Sequence, residues 1–324
     1  MRVSISRALA LLLPLALALS AAAAPYPSHT IRWVVPYTPG GITDTVTRLV
    51  AARVQEGLGQ PIVIENKPGA NSIVGAEMVA RSAPDGYTVL TVIAAHAANA
   101  TLYAGKLPFD PTKSFVPVSL VSTAPLILTV NNDFPARDVK GLIDYARSNP
   151  GKVSFGSSGV GASAHLTTEL LKQAAGIDML HVPFKGTAPA LTALIAGDIQ
   201  VLVDVPGSMM PHVRAGKIRA LGLFSTRRSG GASEVPTVTE AGGPPVEGST
   251  WAMFLVPAGT PREIVNRLSA EVKRALAAPE LRERFGALGM EVVGSTPAEA
   301  AHFLDVEIVK WNRVITQAGI KAEN

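Results

Sequence analysis

The sequence predicts an α/β protein of two lobes, and three observations carry that expectation. From Ile31 onward, short β-branched runs alternate with helical patterns, the signature of βα units stacked on parallel sheets. Beyond an apolar leader about 300 residues remain, enough for two lobes at roughly 100 to 200 residues each. A weak internal echo marks where the lobes would join: Pro125 to Val130 is an apolar run followed by Pro135 and a helical pattern, and Trp251 to Val256 is followed in the same way by Pro261 and another.

In order, Ile31 to Val35 reads as the first strand, and a helix from about Thr43 carries Val46, Leu49, Val50 and Val54 on one face. Pro61 to Glu65 is the second strand, and Asn71 to Arg81 a helix that buries Ile73, Val74, Ala76 and Val79. Asp85-Gly86 turns the chain into a third strand, Thr88 to Ala94. Between the two echoing runs lies a second series: Lys152 to Phe155, a helix from Ala162, Met179 to Val182, a helix from Ala188, and Ile199 to Asp204. Helices over Arg262 to Ala277, Pro279 to Leu288 and Pro297 to Gln317 finish the chain. The expected division is 25–126 with 249–324 as one lobe and 127–248 as the other, the chain crossing near 126 and 249; two ordinary βα units in one sheet are the alternative reading of the echo.

Residues 1–24 read as a cleavable export signal: Arg2 and Arg7, an apolar core from Ala8 to Leu19, then small residues from Ser20 to Ala24. That core is about a dozen residues long, short of the roughly 20 a bilayer-spanning helix needs. With no cysteine the protein can form no disulfide and carries no lipid-anchored cysteine after the signal, so packed apolar surface must stabilise it. The net charge is +4, or +2 without Arg2 and Arg7, and with 5% aromatic residues and no Lys/Arg cluster this argues against nucleic acid as a partner.

Three strand-to-helix loops hold the candidate site. The first is Tyr37-Thr38-Pro39-Gly40-Gly41-Ile42-Thr43-Asp44, where backbone N–H groups and the positive end of a helix dipole would favour an anion, or where Thr43 or Asp44 would simply cap the helix. The second runs from Gly156 to His165 and includes Ser157, Ser158, Gly159, Gly161, Ala162, Ser163 and His165, with hydroxyls and N–H groups able to hold a carboxylate. Gly159, Gly161 and Ala164 also sit at the dinucleotide-fingerprint spacing, which makes a dinucleotide-dependent oxidoreductase the alternative function. The nearest downstream acid, Asp178, precedes a strand instead of ending one, against the fingerprint. The third loop, His181 to Pro189, contributes Lys185, Gly186 and Thr187, and Asp204 stands at the end of the following strand, able to accept a proton from a ligand amine or hydroxyl, orient water or cap a helix.

Catalytic arrangements are missing from the sequence: there is no Gly-x-Ser-x-Gly elbow, no cysteine nucleophile, and no His-Glu-x-x-His spacing among six histidines. His165 and His181 read as hydrogen-bonded structural residues, and no cofactor or metal is expected.

At these loops the sequence resembles the Bug family of periplasmic solute-binding proteins, the receptors of tripartite tricarboxylate transporters. The matching runs are RWVVPYTPGGITD (32–44), VIENKPGANSIVGAE (63–77), PDGYTVL (84–90), HVPFKGTAPALTALIAGDI (181–199), GKIRALG (216–222), VPTVTEAG (235–242), VPAGTP (256–261) and KWNRVITQAGI (310–320). The resemblance implies a type II periplasmic binding protein fold, two Rossmann-like lobes around a ligand cleft. It also implies a carboxylate held by Pro39, Gly40, Gly41, Thr43 and Asp44, with its far end met by Ser157 or Ser158 through Ser163 and by Ala94 to His96. The implied protein is a monomeric receptor in the periplasm, not an enzyme, that hands a small carboxylate to membrane permease subunits or to a sensor kinase.

Overall fold

The computed structural model describes residues 26–228 and 231–322, so the export signal read from residues 1–24 lies outside the described residues. Two mixed sheets carry the fold. The first, of six strands, contains β1 (Ile31–Val35), β2 (Ile62–Asn66), β3 (Thr88–Ile93), β4 (Phe115–Pro125), β10 (Ser249–Pro257) and β11 (Glu291–Val292), in the order β11-β4-β10-β3-β1-β2. The second, of five, contains β5 (Ile127–Asn131), β6 (Ser154–Ser157), β7 (Leu180–Pro183), β8 (Val201–Asp204) and β9 (Ile218–Leu223), in the order β7-β6-β8-β5-β9.

The expectation of parallel sheets holds only for half of each. β1 pairs parallel with β2 and β3, and β6 with β7 and β8, as βα units require. But β10 inserts antiparallel between β3 and β4, and β5 inserts antiparallel between β8 and β9. The physical reason is that β5 and β10 each follow a passage of the chain from one sheet to the other, and arrive without the crossover helix that forces parallel pairing. They are therefore equivalent strands of two similarly ordered sheets, which explains the echo at Pro125 and Trp251. Each leads into an amphipathic helix: α4 (Val139–Ser148) after β5, and α8 (Arg262–Ala277) after β10.

Around the first sheet pack α1 (Ile42–Leu58), α2 (Ile73–Ala80) and α3 (Ala94–Leu102), together with α8, α9 (Pro279–Ala287) and α10 (Pro297–Ala318). Trp33, Phe254, Val50 and Val272 form one side of its core, and Trp251, Trp311, Leu90 and Val314 the other. The second sheet is covered on one face by α4 and α5 (Ser163–Ala175), and on the other by α6 (Thr187–Ala196) and α7 (Pro206–Arg214). The α10 helix also reaches the second unit: Gln173 Nε2 donates to the Val314 carbonyl at 3.2 Å, and Leu166 is buried among α10 residues.

The apolar run expected as one strand over Pro125 to Val130 is broken at Leu126, where β4 ends and β5 begins in the other sheet. Five further elements escaped the sequence pattern, β9 and the two-residue β11 among them. β4 is interrupted by proline and serine, and α3 starts directly on the last residue of β3 with no turn residue between. α7 is short, with Pro211 inside it. No helix of the described residues is long and apolar enough to cross a membrane.

Candidate functional site

Between the two sheets, at the carboxyl ends of β1, β3, β6 and β8, lies a cavity of about 590 Å³. Strand ends of this kind are where α/β folds bind ligands. Leu126 and Thr250, at the two passages between sheets, form part of its lining.

Five helices present their first turns to this cavity. α1 brings Gly41, Ile42 and Thr43; α3, Ile93 and Ala95; α5, Ala162, Ser163 and Ala164; α6, Thr187; and α7, Val205, Gly207 and Ser208. None of these five starts is capped by a side chain. Of the other helices, α4 is capped by Asp138 and α10 carries a capping box from Thr296 and Glu299, both away from the cavity, whereas α2, α8 and α9 also lack a side-chain cap. An uncapped first turn leaves N–H donors without intrahelical partners and the positive end of the dipole exposed. Five of them around one space make it a ready host for an anion. No lysine or arginine is among the described residues that line it.

Nine of the residues expected from the sequence line the cavity: Tyr37, Thr38, Gly41, Thr43, Ser158, Ala162, Ser163, Thr187 and Asp204. The others stand behind it, and the hydrogen bonds say why. Asp44 is buried and spends both oxygens within the protein: Oδ2 accepts from Gly40 N and Arg48 Nε, and Oδ1 from Asn66 Nδ2, each at 2.9 Å. The Arg48 guanidinium, first of all, and these N–H groups hold its carboxyl down at about 2. Asp44 therefore fixes the shape of the loop, and Pro39 and Gly40 are exposed on its outer side.

In the second loop Ser157 is fully buried, with its hydroxyl 2.7 Å from His181 Nε2 and 3.0 Å from the Gly159 carbonyl. His165 accepts the Gly161 N–H at Nδ1 and stacks on His181 at 3.7 Å. Burial drives both imidazoles neutral, to about 3 for His165 and about 4 for His181. Gly161 has φ +78°, and a Cβ there would meet Leu102 Cδ1 at 2.5 Å, so this glycine serves a tight turn and a close approach. Gly159 and Gly161 thus shape a loop held by histidines, and Asp178 lies before β7, exposed; the dinucleotide reading has nothing to rest on.

Helix phase decides the rest. Ala95 lines the cavity, whereas Ala94 and His96 turn into the core, where His96 Nε2 meets the Pro111 carbonyl at 2.9 Å. Lys185 is exposed and outside the lining, and Gly186 is the residue that starts α6, with Thr187 beyond it reaching the cavity. Asp204 is the one acid among the described residues of the lining, with Oδ2 accepting from the Thr187 hydroxyl at 2.6 Å and Oδ1 from Val205 N–H at 2.7 Å. Burial raises its pKa against these two bonds.

Sequence reasoning missed Asn71, Val205, Gly207, Ser208, Ala287 and Leu288, all of which line the cavity. Asn71 sits in a run of left-handed residues, Ala70 to Ser72, fixed by a reciprocal pair of bonds with Asn99, each 2.8 Å. Pro206-Gly207 directly after the Asp204 strand was the signal for the α7 start.

The chain is similar to known proteins along nearly its whole length. The chain is 38% identical to the UPF0065 protein in the tcbD-tcbE intergenic region of Pseudomonas sp. (strain P51), over 92% of this chain and 88% of that protein. It is 34% identical to Protein BugT of Bordetella pertussis, over 91% of each. Among solved structures, a protein of R. palustris with adipate superposes with a TM-score of 0.81 at 35% identity, covering 91% of this chain and 99% of that one. MatC of Rhodopseudomonas palustris with bound malate gives 0.78 at 35%, covering 90% and 100%. The periplasmic binding protein BugD superposes with a TM-score of 0.78 at 32% identity, covering 92% of this chain and 100% of that one. The model of the tripartite tricarboxylate transporter family receptor matches residues 46–320, and the chain belongs to that family of periplasmic binding proteins, the Bug receptors.

Proposed function

We propose that this receptor captures a small carboxylate in the cavity between its sheets and delivers it to membrane permease subunits of a tripartite tricarboxylate transporter or to a sensor. The carrying observation is the convergence of five uncapped helix starts on a cavity that has no basic side chain among the described residues that line it. The carboxylate is held by main-chain N–H groups of Gly41 to Thr43 and of Ser163 and Ala164, with the hydroxyls of Thr43, Ser158, Ser163 and Ser208 beside them; the Ala162 N–H is taken by the Gly159 carbonyl. Relatives of the same fold were solved with adipate and with malate, which supports an organic acid of that size.

In this reading residues 1–24 direct export and are removed. The lobes are 25–126 with 249–324 and 127–248, and the ligand touches both. Titration calorimetry with malate, adipate, citrate, glutamate and benzoate tests the proposal: saturable 1:1 heat with at least one acid is expected. Heat with none of them, together with a nucleotide retained through purification, would overturn it.

A further inference from the structure

Gly207 occupies a helix position that suits alanine and a contact that forbids it. It is the second residue of α7, its backbone lies outside the left-handed region, and glycine weakens a helix relative to alanine. An ideal Cβ there would lie 2.5 Å from the Leu288 carbonyl oxygen, 2.8 Å from its carbon and 3.5 Å from Gly289 N. Those are backbone atoms just after α9, and no rotamer change can move them aside.

The contact joins the two sheet units beside the cavity, since Gly207 and Leu288 both line it, and neighbouring Val205 packs against the cores of both units. We propose that Gly207 is a positioning residue for ligand capture: its missing side chain lets the five-stranded lobe settle on the Leu288–Gly289 backbone when acid is bound and stand off it otherwise, and that settling carries the first turn of α7 to the ligand. The inference rests on the receptor reading above. A methyl group at this position needs about 0.9 Å more room to bring 2.5 Å to ordinary contact, and a hydrogen bond of about 2.9 Å stretched by that amount is lost.

The test compares Gly207→Ala with Gly286→Ala. Gly286 lies nearby in α9, with ordinary backbone, and a Cβ there meets nothing within 4 Å. With malate and adipate as probes, Gly207→Ala raises the dissociation constant about ten- to hundredfold, as loss of a hydrogen bond to a charged group does. Its melting temperature without added acid equals or exceeds that of the unaltered protein, and Gly286→Ala binds normally. Affinity within twofold for Gly207→Ala would refute the proposal. So would a lower melting temperature without acid, because the contact would then be ordinary packing present at all times. If the unaltered protein bound neither acid, the receptor reading for these acids would fail first and take this inference with it.

Discussion

Glu307 is the place where removing one side chain tests the packing argument most directly. It lies in α10, buried, and its Oε2 accepts the indole N–H of both Trp251 and Trp311, each at 2.9 Å. Oε1 pairs with Lys310, whose ammonium stands 4.2 Å over the Trp311 ring. Both indoles are fully buried, so Glu307→Leu strands two donors that water cannot reach. A buried donor without a partner costs about 1–3 kcal/mol, and two of them cost about 4 kcal/mol. Leucine offsets about 1 kcal/mol of this by its own burial, leaving about 3 kcal/mol, a large part of a typical stability of about 5–15 kcal/mol. Glu307→Gln keeps an oxygen in the same place and loses about 1 kcal/mol. The assay is equilibrium urea unfolding followed by tryptophan fluorescence. Trp33 donates instead to Thr91 Oγ1 at 3.1 Å and serves as the unaffected third reporter. Equal losses for the leucine and glutamine variants, or a loss under 1 kcal/mol for leucine, would refute the shared-acceptor argument. Because Thr250, beside Trp251 on β10, lines the cavity, the leucine variant is also expected to bind its acid more weakly.

Asp44→Ala removes the acceptor of Gly40 N, Arg48 and Asn66, and is expected to cost about 2 kcal/mol and to weaken acid binding by disordering the first loop; an unchanged urea midpoint would disprove the bracing role. Gly41→Val is expected to abolish binding with little change in melting temperature. Its Cβ clears the nearest atom, Thr38 O, by 3.7 Å at an ordinary φ of −72°, so the added carbons fill the cavity without straining the chain; normal binding would remove the first loop from the site. Stability is also expected to fall with acid. His96, His165 and His181 are held neutral by burial, at about 4, 3 and 4 against 6.5 when unfolded, so below about pH 6.5 the unfolded chain binds protons that the folded chain refuses. Their contribution is complete above pH 6.5 and declines toward pH 4, roughly 3 kcal/mol from His96 alone, and urea midpoints that did not move between pH 7 and 4.5 would contradict it.

The sequence alone determined the element series wherever local pattern and packing agree. Arg262–Ala277 is the helix its apolar spacing predicts, and Ile31–Val35 is the strand its β-branched run predicts. It also pointed to the family, because the matching runs are long and lie in one order along nearly the whole chain after the leader. Only the tertiary structure decided which of those loop residues face the cavity. Asp44 and Ser157 look from the sequence like ligand contacts, yet their polar atoms are satisfied by Arg48, Asn66 and His181. Ala94 and His96 differ from Ala95 only in helix phase. Gly207 and Leu288 meet across 81 residues of chain, and the contact arises only when the two units pack. A local pattern records what a residue does to its own backbone; which partner lies across a cleft depends on how two sheets, folded from distant segments, come to rest against each other.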